Sequence, residues 1–176
     1  TVYGYAAAST IGHEITHGFD DEGRQYDADG NLKNWWSKED EEKFNTRSQR
    51  MIDQFSAYMP VDSMHINGKA TLGENIADLG GIVLGWDAFK KTDQYKNNKP
   101  IAGLSPAKRY FLGYALGWLG HTRDESLRNR LLTDVHSPAK YRVNGPFSDV
   151  DAFYETFNVQ PNNKMYIPDS LRVRIW

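Results

Sequence analysis

The sequence predicts a mainly helical fold, of α+β type at most, with few and short strands. Its 176 residues are about the length of one domain and are enough to bury a single sizeable core. Several long segments carry apolar residues at helical spacing and begin with residues that favour a helix N-terminus. Strand-like alternation is confined to short, turn-rich stretches. We therefore assign residues 1–176 to one helical domain.

The predicted helices can be placed by their end signals. They cover residues 2–19, a segment from 37 to about 55, residues 72–91, a segment from 105 to about 119, residues 124–132 and residues 149–157. Gly18 suits the C-terminus of the first helix. Ser37 is a typical N-cap, and Asp40 three positions later forms a variant of the capping box. Ser105 followed by Pro106 is a typical helix start.

The segments between these helices contain turn signals. Asp29-Gly30 predicts a hairpin turn. The run 27–31 also has the acidic residues of a calcium loop, but its glycine is misplaced for an EF-hand and no Glu closes it, so a plain turn is favoured. Residues 97–103 are expected to form a loop and residues 133–147 to be irregular. Four residues of the third helix are expected to face the core: Ile76, Leu79, Val83 and Trp86.

Composition narrows the function classes. A net charge of −2 gives no general attraction to nucleic acid or to anionic membranes. No apolar run approaches the roughly 18 residues of a membrane span. The sequence has no cysteine, so a metal would have to bind His, Asp or Glu. The chain starts with Thr1 inside a predicted helix, and we expect it to be a fragment of a longer protein.

The strongest chemical signal is an H-E-x-x-H motif, formed by residues 13–17 of the first predicted helix. His13 and His17 differ by about 40° around the helix axis and lie one turn apart, so both imidazoles can reach one ion. Glu14 projects beside them. The alternative is a pair of solvated histidines on a helix surface.

A zinc site of this kind needs a third protein ligand. Metzincins supply a histidine six residues after the second motif histidine, but Gly23 occupies that position and excludes this class. Glu74 and Asp78 offer carboxylates one turn apart: Glu74 can bind the metal and Asp78 can accept the N–H of a ligand histidine. Asp20 can orient the other histidine. The alternatives are a solvated acidic face and a surface Asp. Nearby glycines would let another helix approach closely: Gly73, Gly80 and Gly81.

Five segments together resemble the neprilysin family of zinc endopeptidases, which includes the bacterial oligopeptidase O enzymes. The segments are HEITHGFDD at 13–21, Trp35-Trp36, TLGENIAD at 71–78, TDVHSP at 133–138 and the closing Trp176. They are spread over nearly the whole chain in the family's order. The resemblance implies the C-terminal part of a thermolysin-like zincin catalytic domain. It also implies one Zn²⁺ per chain, with His13, His17 and Glu74 as ligands.

The resemblance also implies roles that spacing alone does not assign. Glu14 matches the general base of the family. His136 matches a histidine that stabilises the oxyanion, with Asp134 as its partner. Arg142 matches an arginine that binds a substrate backbone carbonyl, and Trp118 matches a tryptophan of the first specificity pocket. Without the resemblance, these loop and helix residues would be read as surface or core residues.

Two further expectations follow from the resemblance. The substrates would be short peptides cut before bulky apolar residues, at an extracytoplasmic location, with a cytoplasmic one as the alternative. The family's substrate-binding edge strand and N-terminal cap domain are not in this sequence, so the missing N-terminal portion is an expected partner. Two rival functions stay open: a zinc-bound binding module without catalysis, and a structural helical domain without metal.

Overall fold

A computed structural model describes residues 2–175, and over this range the chain is mainly helical, as predicted. Helix α1 is a π-helix over Tyr3–Gly12 and an α-helix over His13–His17. The other helices are α2 (Lys38–Ser56), α3 (Leu72–Lys90), α4 (Asp93–Lys96), α5 (Pro106–Leu116), α6 (Asp124–Thr133), α7 (Ala139–Phe147) and α8 (Asp151–Phe157). Short 3-10 segments occur at Gly23–Gln25 and Asp169–Leu171. None of the helices in residues 2–175 combines the length and hydropathy needed to span a bilayer.

Two of the predicted helix starts are confirmed by their capping contacts. Ser37 accepts a hydrogen bond from the backbone N–H of Asp40 at 3.1 Å and starts α2. Ser105 does the same for the backbone N–H of Lys108 at 3.2 Å, directly before Pro106 at the start of α5. Such side-chain acceptors satisfy N–H groups that have no partner inside the helix.

The prediction of an irregular segment at 133–147 is confirmed for residues 134–138 but was wrong for the second half, because residues Ala139–Phe147 form α7. Gly145 and Pro146 lie in the last turn of this helix and are buried. Gly145 packs so closely on the ring of Phe55 in α2 that an added Cβ would stand 2.5 Å from Cζ. Tertiary packing therefore stabilises a helix that local propensity does not favour. The short helix α4, capped by Thr92, was also not predicted.

Strand pairing within residues 2–175 is limited to isolated antiparallel bridges, which fits the expectation of few, short strands. The bridges join Tyr26 to Leu32, Val61 to Met64 and Ile101 to Leu104. The first encloses the predicted turn, where Gly30 has a φ of +78°. The Asp27 carboxylate accepts hydrogen bonds from the backbone N–H groups of Asp29 and Asn31, both at 3.0 Å. One of its oxygens is therefore engaged within the turn itself.

The core is rich in aromatic rings and surrounds α3. Phe89 of α3 stacks on Tyr110 of α5 with ring centroids 5.6 Å apart, and the Tyr110 hydroxyl donates to the carbonyl of Ile82 at 2.5 Å. Ile82 is fully buried, whereas Val83 is 41% exposed, so the prediction that Val83 faces the core was wrong. The face that α3 buries is decided by the helices that cross it, which the apolar spacing alone does not show.

Helices α1 and α3 cross at very short range, and glycines make this crossing possible. A Cβ added to Gly81 would lie 2.3 Å from the carbonyl oxygen of Ala8 and 2.7 Å from the backbone nitrogen of His13. A Cβ on Gly80 would lie 2.5 Å from the side chain of Thr16. Because all three distances are shorter than real Cβ contacts, glycine is required at both positions. The crossing brings the motif residues of α1 against the N-terminal half of α3.

Candidate metal centre

The three predicted metal ligands converge on one point between α1 and α3. The Nε2 atoms of His13 and His17 lie 3.0 Å apart. Glu74 presents Oε2 at 3.3 Å from Nε2 of His13 and Oε1 at 3.6 Å from Nε2 of His17. One ligand atom from each residue can be chosen so that all three lie within 4.8 Å of one another. The two imidazoles come from one helical turn and the carboxylate from the first turn of α3.

Two aspartates face the opposite nitrogens of these imidazoles. Nδ1 of His17 lies 2.7 Å from Oδ2 of Asp20. The other oxygen of Asp20 accepts two backbone N–H groups of the turn after α1, at 2.9 and 2.7 Å, which fixes the carboxylate. Nδ1 of His13 lies 3.0 Å from Oδ1 of Asp78, in contact but not aligned as a good hydrogen bond. Each Nδ1 can therefore carry the proton, which leaves each Nε2 with a lone pair directed at the common point.

This donor set fits a zinc ion. Tetrahedral zinc with bonds of about 2.1 Å holds its ligand atoms about 3.4 Å apart, close to the separations found here. The Nε2 atoms of His13 and His17 lie 3.0 Å apart, beside a carboxylate. Their lone pairs repel one another unless a positive charge lies between them. Two imidazoles and one carboxylate are a known catalytic zinc ligand set, which leaves a fourth position for water. His13, His17 and Glu74 are the residues that would hold the ion.

The pKa of His13 also indicates that this group of residues favours a positive charge. Burial by itself lowers this pKa, but the neighbouring Asp78 and Glu74 carboxylates outweigh burial and raise it to about 9. Burial also acts to raise the pKa of Glu74, yet the hydrogen bond with His13 and the charge of Arg142 lower it. Without a metal, a proton on His13 therefore takes part of the role of the cation.

Arg142 is held in the wall of the site. Its Nε and Nη2 atoms donate to the two oxygens of Asp78 at 2.7 and 2.8 Å, and Nη2 also donates to Oε2 of Glu74 at 3.2 Å. The guanidinium carbon lies 4.1 Å from the ring centroid of Trp118, a cation–π contact. Trp118 is partly buried, and Arg142 has 7% of its surface exposed.

His136 faces Glu74 from the segment between α6 and α7. Its Nε2 lies 3.2 Å from Oε1 of Glu74, and its Nδ1 lies 2.7 Å from Oδ1 of Asp134. Burial acts to raise the pKa of Asp134, but hydrogen bonds from the backbone and ring of His136 lower it to about 2. Arg130 adds a hydrogen bond to Oδ2 of Asp134 at 3.0 Å. The arrangement keeps Asp134 ionised and orients the His136 ring.

Glu14 is exposed on the same turn as His13 and makes no hydrogen bond or ion pair within the described range. Its carboxylate is therefore free to exchange a proton. Two buried residues at the site were missed by the sequence reasoning: Asn75 and Ser137, whose side chains hydrogen-bond at 2.8 Å. Their only sequence signal is position, since each directly follows a predicted site residue.

The chain belongs to peptidase family M13, whose sequence model matches residues 2–173. This confirms the resemblance to the neprilysin family. The closing Trp176, which contributed to that resemblance, lies outside the described residues.

Particular relatives agree with this assignment. An endothelin-converting enzyme homolog of Locusta migratoria is 42% identical over 91% of this chain and 22% of its own length. Human endothelin-converting enzyme 1 is 40% identical over 93% of this chain and 21% of its own length. The chain therefore spans about a fifth of these relatives.

Solved structures show the same fold. The zinc metalloprotease Zmp1 of Mycobacterium tuberculosis, in complex with an inhibitor, superposes with a TM-score of 0.91 and 40% identity, over 99% of this chain and 27% of that one. PepO from Lactobacillus rhamnosis superposes with a TM-score of 0.84 and 34% identity, over 98% of this chain and 26% of that one.

Proposed function

We propose that this chain is the C-terminal part of the catalytic domain of a zinc-dependent endopeptidase that hydrolyses internal bonds of short peptides. The observation that carries the proposal is the convergence of two Nε2 lone pairs and a carboxylate, with both opposite nitrogens facing aspartates. Family membership supports the same activity. When bound, one Zn²⁺ would lower the pKa of a water toward about 7 and polarise the scissile carbonyl.

Glu14 would act as the general base. It takes a proton from the attacking water and delivers it to the leaving amine, a transfer that needs a carboxylate without a fixed partner. Its exposure on the turn that carries His13 supports this role. Asp78 and Asp20 would keep the protons of His13 and His17 on Nδ1, so that Nε2 stays available for the metal.

Residues of the second half of the chain would bind the substrate. His136, oriented by Asp134, would donate a hydrogen bond to the oxyanion. Arg142 would bind a backbone carbonyl of the substrate, with Asp78 and Trp118 holding its guanidinium in place. Trp118 would line the first specificity pocket.

The proposal includes a larger protein. The relatives are several times longer than this chain, which supports a missing N-terminal portion that contributes the substrate-binding strand and a cap. Apolar side chains exposed along α1 would be covered by this portion, among them Ile11 and Ile15 at 60% and 56% exposure. We further propose peptide substrates and an extracytoplasmic location, with a cytoplasmic one as the alternative.

The test compares Glu14→Gln with the matched variant Glu125→Gln on the exposed face of α6, both in the intact protein. We expect Glu14→Gln to retain about one equivalent of zinc by elemental analysis and to lose peptide cleavage by at least about 100-fold. Glu125→Gln is expected to keep both. Normal turnover by Glu14→Gln would refute the role of the base. Zinc without cleavage in the wild-type protein would favour the binding module, and absence of zinc the structural domain.

A further inference from the structure

Behind the metal ligands lies a chain of buried hydrogen bonds that starts next to His136. The hydroxyl of Ser137 donates to Oδ1 of Asn75 at 2.8 Å. Nδ2 of Asn75 donates to the hydroxyl oxygen of Thr71 at 2.9 Å, and that hydroxyl donates to the carbonyl of Asn67 at 3.2 Å. Each residue in this series donates to the next, from Ser137 toward Asn67, and the series ends on a backbone carbonyl. Such a fully satisfied buried network specifies one arrangement of its members.

The side chains of this network are deeply buried. Asn75 is inaccessible, and Ser137 and Thr71 are 1% and 3% exposed. A buried amide that loses its partner costs about 1–3 kcal/mol, so the network resists rearrangement. It joins two segments that are distant in sequence, since Ser137 and Asn75 are 62 positions apart.

The position of the network relates it to the reacting groups. Asn75 directly follows Glu74, and Ser137 directly follows His136. Two polar contacts join the segment 134–138 to α3: the 3.2 Å contact of His136 Nε2 with Glu74, and the Ser137–Asn75 hydrogen bond, which is the buried one of the two. The Asp134–His136 contacts are internal to that segment and cannot fix its distance from the metal ligands.

We propose that Asn75 is a positioning residue that docks the segment 134–138 on α3 and so sets the 3.2 Å separation between His136 Nε2 and the Glu74 carboxylate. This inference rests on the proposed function, since it assigns the support of the proposed oxyanion donor. Asn75 touches neither metal ligand atoms nor substrate. It acts through Ser137, because a displacement of about 1 Å of a catalytic group can reduce the rate by up to about 100-fold.

The test uses the intact protein and the variants Ser137→Ala and Asn75→Ala. The matched control is Ser148→Ala, which removes another buried serine hydroxyl with a 2.8 Å hydrogen bond, to the carbonyl of Asn144 and away from the segment 134–138. We expect Ser137→Ala to lower kcat about tenfold, with KM and zinc content unchanged. Ser148→Ala should lose comparable stability and keep the wild-type kcat.

Two further measurements separate positioning from general destabilisation. In a His136→Ala background, Ser137→Ala should cause no additional loss of kcat, because the residue acts through His136. In the absence of substrate, backbone amide exchange in the segment 134–138 should accelerate in Ser137→Ala and Asn75→Ala but not in Ser148→Ala. Independent effects of Ser137→Ala and His136→Ala on kcat, or unchanged exchange, would overturn the inference. A wild-type protein without zinc or cleavage would instead refute the proposed function, and the exchange experiment would still test the docking.

Discussion

Replacing Asp78 by Asn tests whether one buried carboxylate supports both the fold and the metal site. Asp78 is inaccessible to solvent and accepts two hydrogen bonds from Arg142, at 2.7 and 2.8 Å. The change removes the charge that compensates a guanidinium with only 7% exposure and leaves Glu74, at 3.2 Å, as its remaining carboxylate contact. Breaking a buried ion pair from one side costs about 3–5 kcal/mol. Because Asn keeps one acceptor oxygen, we expect about 3 kcal/mol of lost unfolding free energy.

The same variant should bind zinc more weakly. Without the Asp78 charge facing Nδ1, His13 loses its preferred tautomer and orientation, which lowers zinc affinity about 10- to 100-fold. Urea unfolding in excess chelator measures stability, and competition against a chromophoric chelator measures zinc affinity. Asp20→Asn is the control: its amide oxygen can still accept the backbone N–H groups, so zinc binding should weaken with about 1 kcal/mol of lost stability. Asp78→Asn with wild-type stability and zinc affinity would refute the reasoning.

Three other predictions concern the fold and the protonation of the site. Gly81→Ala should reduce stability by about 1–3 kcal/mol in urea unfolding and weaken zinc binding, because the new Cβ would overlap the carbonyl of Ala8. An unchanged urea midpoint would contradict the close crossing of α1 and α3. Burial raises the pKa of Asp149 from 3.8 to about 7, so its contribution to unfolding free energy is present below pH 4 and falls by about 4 kcal/mol as pH rises to 7. Asp149→Asn should flatten the dependence of the unfolding free energy on pH. Identical pH profiles of the wild-type protein and this variant would refute the role of Asp149. His13 holds a proton up to a pKa of about 9, and zinc must displace this proton in order to bind. Zinc affinity should therefore rise about tenfold per pH unit from 7 to 9. An affinity that is independent of pH in a chelator competition would contradict this prediction.

Helix starts were predictable from the sequence where the capping residue lies next to its own helix. The starts of α2 and α5 were predictable because Ser37 and Ser105 cap their own helices within four residues. Helix α7 was not predictable in this way. Its last turn contains Gly145 and Pro146, and the contact that stabilises it comes from Phe55, a residue about ninety positions earlier. Helical periodicity also misplaced Val83, because the helices packed around α3 decide which of its sides is covered.

In the candidate site as well, some features were predictable from the sequence and others appear only in the structure. The spacing of His13 and His17 predicted a shared ion from helix geometry, and the metal-ligand geometry agrees. The separate tasks of Glu74 and Asp78 were only options in the sequence, since both are carboxylates one turn apart. In the structure, Glu74 faces the Nε2 atoms and Asp78 contacts Nδ1 of His13 and Arg142. The roles of Glu14, His136 and Arg142 in turnover stay predictions.

The amino-acid sequence by itself determined the features that depend on neighbours within a turn or two: the helix caps, the two imidazoles on one face and the turn at Gly30. Only the tertiary structure decided the short crossing of α1 and α3, the helical state of α7, and the pairing of Ser137 with Asn75. The physical reason is range. Local features follow from backbone geometry that repeats every few residues, whereas packing and buried hydrogen bonds depend on which distant segments meet and on the space between them.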